Sequence, residues 1–237
     1  MHSIHFETID STNAWLKRHW NVQPDMTFVR ADYQSQGRGR GQRRWFSQPD
    51  ENLMFSLLIK DGQLMAKHQL ISLVSAFSIA LLLEEQGLKS VMIKWPNDVY
   101  AEDRKICGIL LEGVSQNELQ CLIIGIGLNV NQLVFEGEYL REPASMYQLT
   151  GRKYDISQLA FRAYAILMEN LNALKQGEDF LPRLRQLNYL QDRLVSAMID
   201  GNRKTVAVRG LNDDGSLKVE VDGQETDVTS GEISFHV

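Results

Sequence analysis

Cysteine is scarce in this chain: Cys107 and Cys121 are the two present in 237 residues. Both lie in apolar runs, "KICGILLEG" and "LQCLIIGIG", with no CxxC pair and no Cys/His cluster, which argues against a structural zinc site. Free thiols in such runs suit a reducing cytosol. Positive charge is not in excess either. Lys and Arg number 25 against 30 Asp and Glu, a formal charge of −5, whereas a general nucleic-acid binder is usually basic. The N-terminus, "MHSIHFETID", lacks the basic and apolar regions of a signal peptide. The longest apolar stretch, "QLISLVSAFSIALLLEEQG", is interrupted by Ser72, Ser75, Ser78 and Glu84, and reads as a buried amphipathic helix rather than a membrane span. Internal repeats and low-complexity tracts are missing. What remains is a cytoplasmic chain, 43% hydrophobic, long enough for one large domain or a main domain with a small appendage.

The elements that can be read are these. Asp10, Ser11 and Thr12 are good N-cap residues ahead of a short helix in "IDSTNAWLKRHW". "MTFVRADYQ" and "NLMFSLLIK" read as strands on either side of an Arg/Gly loop. A long helix runs from Lys67 to Glu85, with Gly87 as its stop. Three strand-like runs follow, "SVMIKW", "KICGILLEG" and "LQCLIIGIGLNV", joined by "PNDVYAEDR" and "VSQNE" as turns, and short turns predict antiparallel neighbours. Residues 156–175 form a second long helix and "EDFLPRLRQL" a shorter third. Beyond residue 190 the helical period disappears, and short strands alternate with "DGN", "NDDGS" and "VDGQE" turns. The expectation is an α+β fold: a mixed sheet with helices packed on it in a main domain, 1–188, and a small β-barrel or sandwich, 189–237.

Five stretches carry chemical potential. "QGRGRGQRRW", residues 36–45, holds four arginines and three glycines and ends on Trp45. Alternate glycines expose backbone N–H groups, guanidiniums grip phosphate or carboxylate bidentately, and the indole offers a flat face; a solvated Arg/Gly loop has the same composition. In "KWPNDVY", Asn97 and Asp98 stand at the end of a strand, where ligand contacts are common, although an ordinary strand-ending turn looks alike. In "DRKICGILLEG", Lys105 precedes a buried strand containing Gly108, and could reach two anions at once or snorkel from an edge. "IGIGLNV" allows close backbone approach at Gly125 and Gly127, with Asn129 as donor and acceptor, or marks a bulged strand; it lacks the third glycine of a dinucleotide fingerprint. In "DSTN", the Ser11 and Thr12 hydroxyls can bind a polar ring or cap the helix.

In their order and spacing, "DSTN", "YQSQGRGRGQRRWFS", "KWPND", "RKICGILLEG", "IGIGLNV" and a later "GEIS" resemble the biotin protein ligases over essentially the whole chain. The resemblance implies a class II aminoacyl-tRNA synthetase-like catalytic fold with a small C-terminal SH3-like barrel. It implies ATP-dependent formation of biotinyl-5′-adenylate, then transfer of biotin to a lysine of a biotin carboxyl carrier domain, with Mg²⁺ as cofactor. Carried over by motif, Ser11, Thr12, Asn13, Gln34, Gly37, Arg38, Lys105 and Gly108 would bind biotin. Arg40, Arg43, Trp45, Asn97 and Asn129 would bind the nucleotide, with Trp45 against adenine. Lys105, Arg38 and Asp98 would be catalytic, Lys105 bridging the biotin carboxylate and the α-phosphate; metal ligands are not assigned.

This chain departs from the family's usual GRGRRGRxW loop at Gly41 and Gln42, which puts a role for that position in doubt. With "DSTN" starting at residue 10, a ligase without the helix-turn-helix of repressor-type members is expected, one that binds neither nucleic acid nor membrane. The family also allows a homodimer through the main sheet. The arginine loop is expected to be mobile in the free enzyme and to order over the adenylate, keeping water out. Two rivals stand beside this reading. A lipoate–protein ligase or octanoyltransferase shares the fold but would not pair this loop with KWPND, and a nucleic-acid module built on the loop would bind with a steep salt dependence.

Overall fold

Two long helices set the main layer. The computed structural model describes residues 2–41, 43–135, 142–199 and 201–229, with the backbone of Ile233–Ser234. Helix α3 (His68–Glu85) follows the short α1 (Thr12–His19) and α2 (Gly62–Met65), and is long and apolar enough to cross a membrane by length and composition alone. Here 61% of it is buried in the protein core. Its serines do not interrupt it, because Ser75 and Ser78 donate back to the carbonyls of Ile71 and Val74 at 2.7 and 2.8 Å. Ser72 instead donates to the Pro96 carbonyl at 3.0 Å and so ties α3 to the KWPND turn. After α4 (Met146–Thr150), helix α5 (Ile156–Gln176) is capped by Asp155 and ended by Gly177 at φ 93°, and it packs against α3. The short α6 (Leu181–Gln186) carries a proline in its first turn.

Beneath the helices lies a seven-stranded sheet of β1 (Ser3–Ile9), β2 (Phe28–Gln34), β3 (Asn52–Ile59), β4 (Val91–Lys94), β5 (Asp98–Ala101), β6 (Arg104–Gln116) and β7 (Glu118–Asn129). Its order is β1-β2-β3-β7-β6-β5-β4. The β1–β2 pair is parallel and the others antiparallel, so the sheet is mixed as expected. Two strands escaped the sequence reading. Edge strand β1 is polar on much of its length, with Ser3, His5 and Glu7 exposed. Strand β5 corrects the reading of "PNDVYAEDR" as one turn. The turn is Glu102–Asp103, both residues at positive φ (50° and 61°), which frees Asp98–Ala101 to pair on both sides.

The register decides what each face of the sheet carries. Ile109, Ile124, Ile126 and Leu128 point into the helix-covered core, each such buried side chain contributing about 1.5–3 kcal/mol. On the opposite face Asp98 stands across from Gly108, Gly108 from Gly127, and Gly127 from Met54. One step along, Leu110 faces Gly125 and Gly125 faces Ser56. Three adjacent glycines therefore strip this face of side chains and leave a trough. Helix α1 closes one end of it, burying Leu16 on Val29, Leu58 and Ile123.

Past α6 the chain forms a second antiparallel sheet of β8 (Leu194–Ile199), β9 (Asn202–Leu211), β10 (Leu217–Val221), β11 (Gln224–Val228) and β12 (Ile233–Ser234), ordered β11-β10-β9-β8-β12. This is the small C-terminal β-structure expected, and its Val195, Val206, Val208 and Val219 continue the main core. Of "GEIS", Gly231 and Glu232 lie outside the described residues, as do Asp200 of "DGN" and Gln42 of the arginine loop. The β9–β10 turn is bonded to the main domain through Arg185 of α6, which donates to Asp213 at 2.8 Å, and through Trp95. Buried Trp95 donates its Nε1–H to the Gly215 carbonyl at 2.9 Å. Gly215 sits at φ +86°, and a Cβ there would come within 2.9 Å of Leu70 on α3. Trp95→Phe leaves that carbonyl without its donor, at about 1–3 kcal/mol. The expected result is a melting temperature lower by about 5 °C in a circular-dichroism melt.

Candidate active site

The trough is polar at the end where α1 begins. Ser11 is the N-cap of α1, its hydroxyl accepting from the Ala14 N–H. The next two residues turn inward and are 3% exposed. Thr12 donates its backbone N–H and its hydroxyl to Gln34 Oε1, at 2.8 and 3.1 Å. Asn13 donates to Glu112 Oε2 at 2.9 Å and to the Leu110 carbonyl at 3.3 Å, and its own carbonyl oxygen lies 2.5 Å from the Ser56 hydroxyl. Gly125 is a glycine for this reason: a Cβ would stand 2.3 Å from Asn13 Oδ1. A rigid set of donors and acceptors at the closed end of an apolar slot is what a small polar ring requires.

Glu112 and Ser56 belong to this network, and the sequence reading missed both. The available signal was a carboxylate inside the apolar run "GILLEG". Glu112 receives Lys17 at 2.7 Å and Arg38 at 3.4 Å on the same oxygen, Oε1. Burial pushes its pKa up, but the bonds from Lys17 and Asn13 and the charges of Lys17 and Arg38 outweigh it, holding the group below its ordinary 4.5. A depressed carboxylate stabilises the fold above its ordinary value, and that stabilisation is lost as pH falls through the folded value. The stability gap between wild type and Glu112→Gln, read by urea titration, is therefore expected at neutral pH and to close as the pH drops below 4.5.

The arginine loop folds over the other end as a small hairpin. Trp45 N–H donates to the Gly37 carbonyl at 3.0 Å, Gly39 N–H to the Arg43 carbonyl at 2.9 Å, and Arg38 bridges Arg44. Gly37 is needed because a Cβ would come within 2.3 Å of the Trp45 carbonyl. Gly41 has a conformational role too, turning the loop at φ +63°. The Trp45 indole lies flat on the glycine floor, where a Cβ on Gly127 would sit 2.6 Å from its Cε2 and one on Gly108 3.1 Å from its Cζ3. Its Nε1–H is buried with no acceptor among the described residues. Arg38 reaches Glu112, and Arg40 donates to Asn97 Oδ1 at 3.3 Å. Arg43 is exposed on the hairpin tip and contributes backbone bonds to the turn. Arg44 turns away to stack on Phe46.

Lys105 enters at the rim because β6 bulges. Val99 faces Cys107 but Tyr100 faces Lys105, so Ile106 drops into the core and Lys105 is re-aimed. Its Nζ lies 2.8 Å from Asp98 Oδ1 and 5.8 Å from the Trp45 ring centre. Asn97 is fixed by donating to the Ile109 carbonyl at 2.7 Å. Lys105, Asp98, Asn97, Arg38, Arg40, Trp45 and Gly108 thus converge on the trough. Asn129 is set apart at its far rim: it is 3% exposed and its amide donates to the Ala144 carbonyl at 3.0 Å. The cysteines, both free and buried, take no part, and burial raises the pKa of Cys107 first of all. Among the described residues no group of three or more His, Cys, Asp or Glu could hold a metal ion.

Comparison with known proteins agrees with this geometry. The family model "Biotin/lipoate A/B protein ligase family" matches residues 5–129, which span the sheet through β7. The bifunctional ligase/repressor BirA of Salmonella typhimurium is 33% identical over 232 residues, covering 96% of this chain and 72% of that protein. The biotin–[acetyl-CoA-carboxylase] ligase of Mycobacterium tuberculosis is 29% identical over 218 residues, 86% and 76% of the two chains. The biotin protein ligase of Aquifex aeolicus, solved in complex with biotin and ATP, superposes with a TM-score of 0.86 at 30% identity over 98% of this chain and 97% of that one. The family model spans biotin and lipoate enzymes, and these relatives narrow the choice, so the chain belongs to the biotin/lipoate A/B protein ligase family and, within it, to the biotin protein ligases.

Proposed function

We propose that the chain runs both half-reactions of a biotin protein ligase at the glycine-floored trough. A biotin carboxylate oxygen attacks the α-phosphate of ATP, pyrophosphate leaves, and the mixed anhydride biotinyl-5′-adenylate remains. The ε-amine of a lysine on a biotin carboxyl carrier domain then attacks the anhydride carbonyl, loses a proton and expels AMP. The single observation that carries this reading is the placement of Lys105 and Arg38 at opposite sides of one trough whose closed end is a fixed polar pocket. Two anions must meet for the first step, and cations fixed in advance lower that barrier.

The roles follow from position. Ser11, Thr12, Asn13 and Gln34 receive the ureido head at the closed end, while Gly37 and Gly108 let the backbone approach the ligand. Lys105 bridges carboxylate and phosphate, Arg38 and Arg40 hold the phosphate side, and Arg43 stands further out. Asn97 orients Arg40, Trp45 packs against adenine, and Asn129 shapes the distal wall. Asp98, held by Lys105, orients the incoming amine. Asp98, at the rim beside Lys105, would be the carboxylate to hold Mg²⁺ entering with ATP. When bound, the ion neutralises the polyphosphate. We further propose a catalytic domain over residues 1–188 and a C-terminal domain over 189–237, cytoplasmic residence in keeping with two free thiols, and homodimerisation through the main sheet as an available assembly. Arg38 and Arg40 are committed to the trough and Arg44 to the base of its hairpin, which supports an anion clamp over a nucleic-acid tether.

The test is transfer. Purified enzyme, biotin, ATP, Mg²⁺ and a biotin carboxyl carrier domain should give an acceptor heavier by one biotinyl group in intact-mass spectra. No gain with biotin, but a gain with lipoate on a lipoyl domain, would overturn the assignment.

A further inference from the structure

One carboxylate joins the two halves of the site. Glu112 Oε2 accepts from Asn13, which stands over Gly125 in the closed polar pocket. Its other oxygen receives Lys17 of α1 and Arg38 of the arginine hairpin, at 2.7 and 3.4 Å. The carboxylate side chain is 12% exposed, whereas that of Arg38 is 47% exposed. The fixed partner is therefore the strand residue, and the hairpin is the part being held. The same contact settles which way the Asn13 amide faces. With its N–H groups directed to Glu112 and the Leu110 carbonyl, its oxygen must face Ser56.

We propose that Glu112 is a positioning residue that registers the arginine hairpin against the biotin pocket, fixing the Asn13 amide on one oxygen and tethering Arg38 on the other. It touches no reacting atom. Without it, the pocket wall and the cationic hairpin would each be placed by weaker contacts, and an enzyme that must bring a carboxylate to an arginine would lose alignment between them. This inference refines the biotin-ligase reading and rests on it for the meaning of a biotin KM.

The experiment compares wild type with Glu112→Gln, which keeps the shape and removes the charge. Limited trypsin digestion of each protein without substrates, followed by mass spectrometry, reads cleavage after Arg38. Expected is cleavage about fivefold faster in the variant, the loss of one partly exposed ion pair. Steady-state assays should show biotin KM raised about tenfold and ATP KM within about twofold. Unchanged cleavage with unchanged biotin KM overturns the proposal, and so does a fall in kcat alone, which marks a merely structural role. If Glu112→Gln does not fold, Lys17→Met removes the competing cation. Slower cleavage after Arg38 then supports the tether, and an unchanged rate overturns it. The digestion needs no turnover, so an enzyme that never uses biotin would sink the functional reading while the tether is still decided.

Discussion

Lys105→Ala is expected to slow formation of the adenylate by about 10³-fold in a single-turnover experiment, with the fold intact. The lost cation is one cause: removing one donor aimed at developing charge typically costs about 10²–10³ in rate. The partner left behind is the other. Asp98 Oδ1 lies 2.8 Å from Lys105 Nζ and its side chain is 18% exposed, so the variant presents an unpaired carboxylate at the place where carboxylate and phosphate must meet. Electrostatic attraction becomes repulsion. Lys105→Arg is not expected to restore the rate, because a planar guanidinium cannot occupy the space of an ammonium between Asp98 and the Trp45 ring. Rates within about tenfold of wild type in both variants would remove Lys105 from the chemistry. Thermal stability should change little, since the Lys105 side chain is one-third exposed.

Gly127→Val is expected to spare the fold and strongly weaken ligand affinity, a separation that only a floor position can produce. Valine is favoured in strands, and Gly127 lies within paired β7 between β3 and β6. Its side chain, however, would rise into the trough. A single Cβ there comes within 2.6 Å of the Trp45 ring. The indole belongs to a hairpin and can move aside, whereas a ligand on the same floor meets backbone that cannot. Overpacking of this kind costs about 1–3 kcal/mol, and valine adds two further methyl groups. Titration calorimetry with biotin and a non-hydrolysable ATP analogue should therefore show affinity reduced by about 100-fold or more. Gly62→Ala serves as the control, since a Cβ there has no atom of the described residues within 4 Å, and it should bind as wild type does.

Much of this was legible in the sequence, and the reasons for success and failure are local. Helix α5 carries a one-sided apolar stripe, whereas α3 is apolar and buried almost all round rather than amphipathic; clear stops at Gly87 and Gly177 brought both out close to their observed limits. Strand β5 was lost because its turn is made by Glu102 and Asp103, which give no glycine or proline signal although both adopt positive φ. Strand β1 was lost because an exposed edge needs no clean apolar face. Motif spacing brought Lys105, Asp98, Asn97, Arg38 and Trp45 to one site. It could not show that Gly108, Gly125 and Gly127 share one face across two strands, since that is a matter of register. Glu112 showed in the sequence only as a carboxylate inside an apolar run. It gains meaning only when β6 sets it beside Asn13, ninety-nine residues earlier in the chain.

The central claim is that this trough activates the biotin carboxylate on ATP. The most direct measurement is biotin-dependent exchange of labelled pyrophosphate into ATP in the presence of Mg²⁺, with no acceptor protein added. The account predicts exchange that requires biotin, is not supported by lipoate, and is largely lost in Lys105→Ala. Folded wild-type protein that exchanges no pyrophosphate with biotin, or exchanges it equally well after Lys105→Ala, would contradict the account.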